Sequence, residues 1–163
     1  IDSNGVAYGW GQGSNGRLGN GSLDTNIIAP VAVDASGVLR GKTIVEVSCG
    51  GAHSHCIDSN GVLYAFGYNL YGQLGDGSVT QRNSPVAVDT SGALNGKTIV
   101  KVSENYYSCY CLDSDGVVYI CGRNNNGQFA NGSTSDSAQD EFILWNSTGE
   151  LEWQSSLKCQ IFS

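Results

Sequence analysis

The sequence predicts an all-β fold made of β-propeller blades: about three four-stranded repeats of about 55 residues, in an incomplete or open propeller. Three observations carry this expectation. Four short motifs recur in the same order along the chain. Every apolar run is short and bounded by Gly, Asn, Asp, Ser or Pro, which favour turns for steric reasons. No stretch holds a helical apolar period over about ten residues.

The first motif opens each copy. Asp2-Ser3-Asn4-Gly5-Val6 returns as Asp58-Ser59-Asn60-Gly61-Val62 and as Asp113-Ser114-Asp115-Gly116-Val117. It reads as a tight hairpin turn. The next strand, Val62 to Phe66 in the middle copy, leads into Gly72-Gln73-Leu74-Gly75-Asp76-Gly77-Ser78. Copy one has Gly16-Arg17-Leu18-Gly19-Asn20-Gly21-Ser22 there, and copy three has Gly127-Gln128-Phe129-Ala130-Asn131-Gly132-Ser133. A second strand lies at Val86 to Val88, within a motif shared by Pro30-Val31-Ala32-Val33-Asp34 and Pro85-Val86-Ala87-Val88-Asp89. A third strand is Ile99 to Val102, matching Ile44 to Val47, and a fourth is Cys109 to Leu112. The chain is thus one repeat domain, 1–163, with repeats at 2–57, 58–112 and 113–163. The third repeat is divergent and lacks its last strand. Eleven expected strands, about 2.75 blades, fall short of the four to eight that typically close a propeller.

Composition narrows the function classes. Lys plus Arg is 8 and Asp plus Glu is 15, a net charge of −7, which disfavours nucleic-acid binding by counterion release. No apolar run approaches the ~20 residues of a membrane span. Six cysteines, Cys49, Cys56, Cys109, Cys111, Cys121 and Cys159, suggest disulfides and an oxidising compartment. Cys109 faces Cys121 if Asp113 pairs with Val117, and Cys49 with Cys56 is a second candidate pair. The sequons at Asn20, Asn131 and Asn146 point the same way, towards N-linked glycans on an extracellular, secreted protein.

The motifs Gly61-Val62-Leu63-Tyr64-Ala65-Phe66-Gly67-Tyr68-Asn69 and Gly72-Gln73-Leu74-Gly75-Asp76-Gly77 resemble the regulator-of-chromosome-condensation repeat. So does Val47-Ser48-Cys49-Gly50-Gly51-Ala52-His53-Ser54. The resemblance implies a β-propeller, usually of seven blades. Its members include an exchange factor for a small GTPase, inhibitors of secreted enzymes and light receptors. The wording of the loops is similar to secreted microbial members.

Chemical motifs give little. Gly11-Gln12-Gly13-Ser14-Asn15-Gly16 fits a dinucleotide fingerprint, but no helix follows it to meet a pyrophosphate. Cys49, His53, His55 and Cys56 lack the spacing of a zinc knuckle, so no metal is expected. Asp113-Ser114-Asp115-Gly116 lacks the distal ligands of a calcium loop. No nucleophile, base and acid set appears, and no cofactor is implied. Tyr8, Trp10, Tyr64, Phe66 and Tyr119 fall at strand positions expected in the core. Tyr68, Tyr71, Tyr106, Tyr107 and Trp153 fall in loops or off the repeat pattern, as candidates for an interaction patch or for packing against the neighbouring blade.

The leading expectation is a non-enzymatic extracellular propeller module with a structural or adhesive role. It would assemble head-to-tail with copies of itself into a ring or filament, with another extracellular protein as a further partner. The alternative is a protein-binding regulatory propeller of the inhibitor or exchange-factor type, with this chain a fragment of a longer one.

Overall fold

The computed structural model describes residues 1–145. Ten strands run in chain order among them: β1 (Tyr8–Gly11), β2 (Ile27–Ala32), β3 (Ile44–Cys49), β4 (His53–Asp58), β5 (Leu63–Gly67), β6 (Arg82–Ala87), β7 (Ile99–Glu104), β8 (Ser108–Asp113), β9 (Val118–Gly122) and β10 (Gln139–Leu144). They form one two-stranded sheet, β1-β2, and two four-stranded sheets, β3-β4-β5-β6 and β7-β8-β9-β10. All pairings are antiparallel.

The first and second repeats each supply two strand pairs and the described part of the third supplies one, but the sheet and the repeat are out of phase. The sheet β3–β6 takes β3 and β4 from the first repeat and β5 and β6 from the second. The next sheet joins the second repeat to the third in the same way. The Asp-Ser-Asn/Asp-Gly turn at the repeat boundary is therefore the hairpin at the heart of each four-stranded sheet. Asp58 holds it by accepting from the N–H groups of Asn60 (2.9 Å) and Val62 (3.0 Å) and from the Tyr64 hydroxyl (3.1 Å). Asp113 repeats the device with Asp115, Val117 and Tyr119. Central strands are the most buried: every residue of β4 and β5 is enclosed.

The two full sheets pack face to face through Ile57, Leu63, Leu74, Val102, Cys109, Cys121 and Phe142. Polar ties cross the same seam. The Val102 N–H donates to Glu46 Oε1 (3.1 Å), and Glu104 reaches the histidines of β4. Backbone bonds from Gly21 to Asn83 and from Gly77 to Asp140 repeat one junction along the array.

Three expectations are corrected by this geometry. Tyr64, Phe66 and Tyr119 are core residues, but Tyr8 and Trp10 are 41 % and 64 % exposed, because their sheet has two strands where the others have four. Cys49 does not face Cys56: the register sets Cys49 opposite Ser54 and Cys56 opposite Val47. Cys109 does lie opposite Cys121, as the turn requires, yet both are free thiols. Cys49, Cys56 and Cys111 are free as well, so there is no disulfide among the described residues. The four buried thiols behave as small hydrophobes within the two core clusters. Cys159, Trp153 and Asn146 lie outside the described residues.

Candidate functional site: an aromatic cluster at one end of the sheets

The loops that leave β5, enter β8 and leave β9 emerge at the same end of the sheets, because His53 pairs with Gly67 and Ser108 with Gly122. They bring together four of the five aromatics singled out from sequence. Tyr71 and Tyr107 lie 5.0 Å apart between ring centroids, Tyr106 and Tyr107 4.5 Å, and Tyr68 lies 6.0 Å from Tyr107 and 6.2 Å from Tyr71. These separations, with two pairs edge-on and two tilted, suit aromatic quadrupoles. Three rings are part-buried against the neighbouring loop, whereas Tyr106 is 67 % exposed.

A fifth member was not foreseen. The Arg123 guanidinium sits 4.3 Å above the Tyr71 ring and 5.6 Å from that of Tyr107. Asp136 holds it there through a bidentate pair, Nε to Oδ1 at 2.6 Å and Nη2 to Oδ2 at 2.8 Å. That pair raises the affinity of Arg123 for its proton and holds the Asp136 carboxyl below its ordinary range. Burial, then the neighbouring tyrosines, push the Tyr107 phenol up, and burial raises that of Tyr68 as well. Arg123 occupies the repeat position of Tyr68, a relation that could have flagged it. The cluster is an amphipathic platform: ring faces and edges, hydroxyls, one fixed cation, and exposed Leu70 beside it.

A second cluster lies inside the molecule. His53 Nε2 is 2.7 Å from Glu104 Oε2, and His55 Nδ1 is 2.6 Å from Glu104 Oε1, with all three side chains fully enclosed. Burial would raise the Glu104 carboxyl, but His55 and then His53 outweigh it and hold it well below the usual carboxylate range. Cys49 and Cys56 take no part. Cys49 lies exposed at the end of β3, and Cys56 packs in the other core cluster.

The sequon asparagines have a local role. Asn20 Oδ1 accepts from the Ser22 N–H at 3.2 Å and Asn131 Oδ1 from the Ser133 N–H at 3.1 Å. Asp76 does the same for Ser78 in the middle repeat. The shared position is thus a turn-closing oxygen, a need that Asn and Asp meet equally.

Comparison with known proteins gives these features a context. The family model described as the regulator of chromosome condensation (RCC1) repeat matches residues 4–57 and 60–112. The E3 ubiquitin-protein ligase HERC2 of Homo sapiens is 32 % identical over 130 residues, covering 80 % of this chain and 2 % of that protein. The ultraviolet-B receptor UVR8 of Arabidopsis thaliana is 33 % identical over 136 residues, covering 83 % of this chain and 29 % of the receptor. The crystal structure of Prp20p from Saccharomyces cerevisiae, titled for its binding to Gsp1p and histones, superposes with a TM-score of 0.68. That match has 22 % identity and covers 88 % of this chain and 35 % of Prp20p, so it speaks for the fold alone. The chain spans less than a third of the two curated relatives named here. The expected extracellular, secreted location is corrected by the curated relatives, an E3 ubiquitin-protein ligase and an ultraviolet-B receptor, which are intracellular proteins. They lend nothing to the similarity to secreted microbial members. With the location goes the main reason to read the sequons as glycan sites. Carried by two matched repeats and a blade-built fold, the conclusion is that this chain belongs to the RCC1 repeat family, with a β-propeller architecture.

Proposed function

We propose that this chain is part of a protein-binding regulatory propeller and that it meets its partner through the loop end bearing Tyr68, Tyr71, Tyr106, Tyr107 and Arg123. The observation that carries this reading is the convergence of four tyrosines and an ordered arginine from three separate loops. Tyrosine and arginine are the side chains most enriched where protein interfaces gain their energy. The named relatives support a regulatory role over the structural or adhesive one. HERC2 is a ligase in a far longer chain, and nothing in the described residues assembles a catalytic set. The net charge of −7 suits a partner with a basic surface.

A photo-crosslinking residue placed at Tyr106 tests this in cells, with Val45, exposed on β3, as control position. One discrete crosslinked protein is expected from position 106, and its yield should fall when Arg123→Ala is added. Equal crosslinking from both positions, or none from 106, would overturn the proposal.

A further inference from the structure

The enclosed His53, His55 and Glu104 cluster has no part in that surface, and its hydrogen bonding does not close. His55 Nε2 lies 3.3 Å from the Leu74 carbonyl oxygen. A carbonyl only accepts, so Nε2 carries the hydrogen and, in the neutral ring, Nδ1 is a lone pair. That lone pair faces Glu104 Oε1 at 2.6 Å. Two lone pairs cannot meet so closely in a dry interior without positive charge between them. The contact also lacks hydrogen-bond alignment: His55 Nδ1, Glu104 Oε1 and His53 Nδ1 are all buried without a hydrogen-bond partner. Three such atoms in one place are unusual, since buried polar atoms are nearly always paired.

The donor types match a cation. One ligand atom from each of the three side chains lies within 4.8 Å of the other two. Zinc binds imidazole nitrogen and carboxylate oxygen at about 2.0–2.2 Å, which sets tetrahedral ligands roughly 3.3 Å apart, within reach of small side-chain rotations. Metal-binding histidines commonly donate their second N–H to a backbone carbonyl, as His55 does to Leu74. We propose that His53, His55 and Glu104 form a zinc site that pins the sheet β3–β6 to the sheet β7–β10. Its enclosure makes it structural, with a trapped water completing the tetrahedron. The set is particular to this seam. Glu104 stands at the repeat position of Cys49, and the second repeat has Ser108 and Tyr110 where the first has His53 and His55.

The test is metal binding by purified protein stripped with chelator. Cobalt(II) is added both to the folded protein and during refolding, and is followed by its visible ligand-field bands and by thermal unfolding. The expected result is one cobalt per chain with the intense bands of a tetrahedral site, displacement by zinc, and a higher Tm with either ion. Glu104→Gln should weaken binding at least about tenfold, while Cys49→Ser, outside the cluster, should bind as wild type. No bands and no Tm change in the wild type would overturn the proposal and leave a clasp held by protons. Equal binding by wild type and Glu104→Gln would overturn it too. Should Glu104→Gln fail to fold, the stoichiometry and bands of the wild type against Cys49→Ser still decide.

Discussion

Single residues carry unequal weight in the three copies of one motif. Asp58 and Asp113 each close a hairpin with their side chains wholly enclosed, and Lys42 and Lys97 add ion pairs at 3.3 and 3.4 Å. Asp2 makes the same two backbone bonds at a more open site. Burial pushes the Asp58 and Asp113 carboxyls up, but the Val62 or Val117 N–H, the paired tyrosine and the other donors outweigh it, so both titrate below the ordinary range. A depressed carboxyl contributes stability that is complete above its unfolded pKa of about 3.9 and is lost as pH falls through the folded value. Asp58→Ala or Asp113→Ala should therefore cost about 2–3 kcal/mol at pH 7, since part-buried N–H groups and a buried tyrosine hydroxyl lose their acceptor. Either change should also flatten the fall in stability below about pH 4. Denaturant titrations from pH 7 to 3 check both, and a loss from Asp2→Ala as large as from Asp58→Ala would contradict the account. The thiols differ in the same way. Burial lifts Cys56 to about 12 and pushes Cys109, Cys111 and Cys121 up too. Among the described cysteines only exposed Cys49 should react promptly with a thiol reagent in native protein, as peptide mapping of the labelled sites would show.

At the scale of the element, the turn after each outer loop has a fixed backbone need. Gly19 and Gly75 sit at φ +64° and +63°, and the third repeat meets the same need with Ala130 at φ +50°. A side chain in that left-handed region costs roughly 1–2 kcal/mol, part of which glycine returns as entropy of the unfolded chain. Ala130→Gly should raise stability by up to about 1 kcal/mol, read as a higher Tm; a lower Tm would show that the methyl group is needed for packing. The strands themselves were legible, because repeated apolar runs between turn formers leave few alternatives. β5, β7 and β8 fall within two residues of the runs read from sequence, whereas β6 begins four residues before its run, at Arg82. What periodicity could not show is which strands share a sheet. That depends on packing between repeats, which is why Tyr8 and Trp10 looked like core. The aromatic cluster was half legible. Off-pattern tyrosines stand out against the repeat, whereas the arginine that crosses them is recognised only once Asp136 and Tyr71 are seen on either side of it. Glu104 was hidden for the same reason, since its histidine partners lie about fifty residues away in sequence.

For the whole molecule, the offset between sequence repeat and sheet decides where the chain can be divided. A break at the repeat boundary, around residues 58–62, would part β4 from β5, two fully enclosed strands bonded along their length. A break in the loop at 35–41 or 90–96 would fall between sheets and leave each ladder whole. Two fragments cut at 90–96 should therefore find one another and reassemble, while fragments cut at 58–62 should precipitate, a difference that a split-reporter complementation assay reads directly. The same stitching means that each four-stranded sheet is shared by two copies of the repeat unit. Copying one unit of about 55 residues inserts a complete new blade without disturbing its neighbours, whereas losing half a unit orphans two. Blade number in this architecture can thus grow or shrink by whole units only, and every viable duplication begins its life already sewn to both sides.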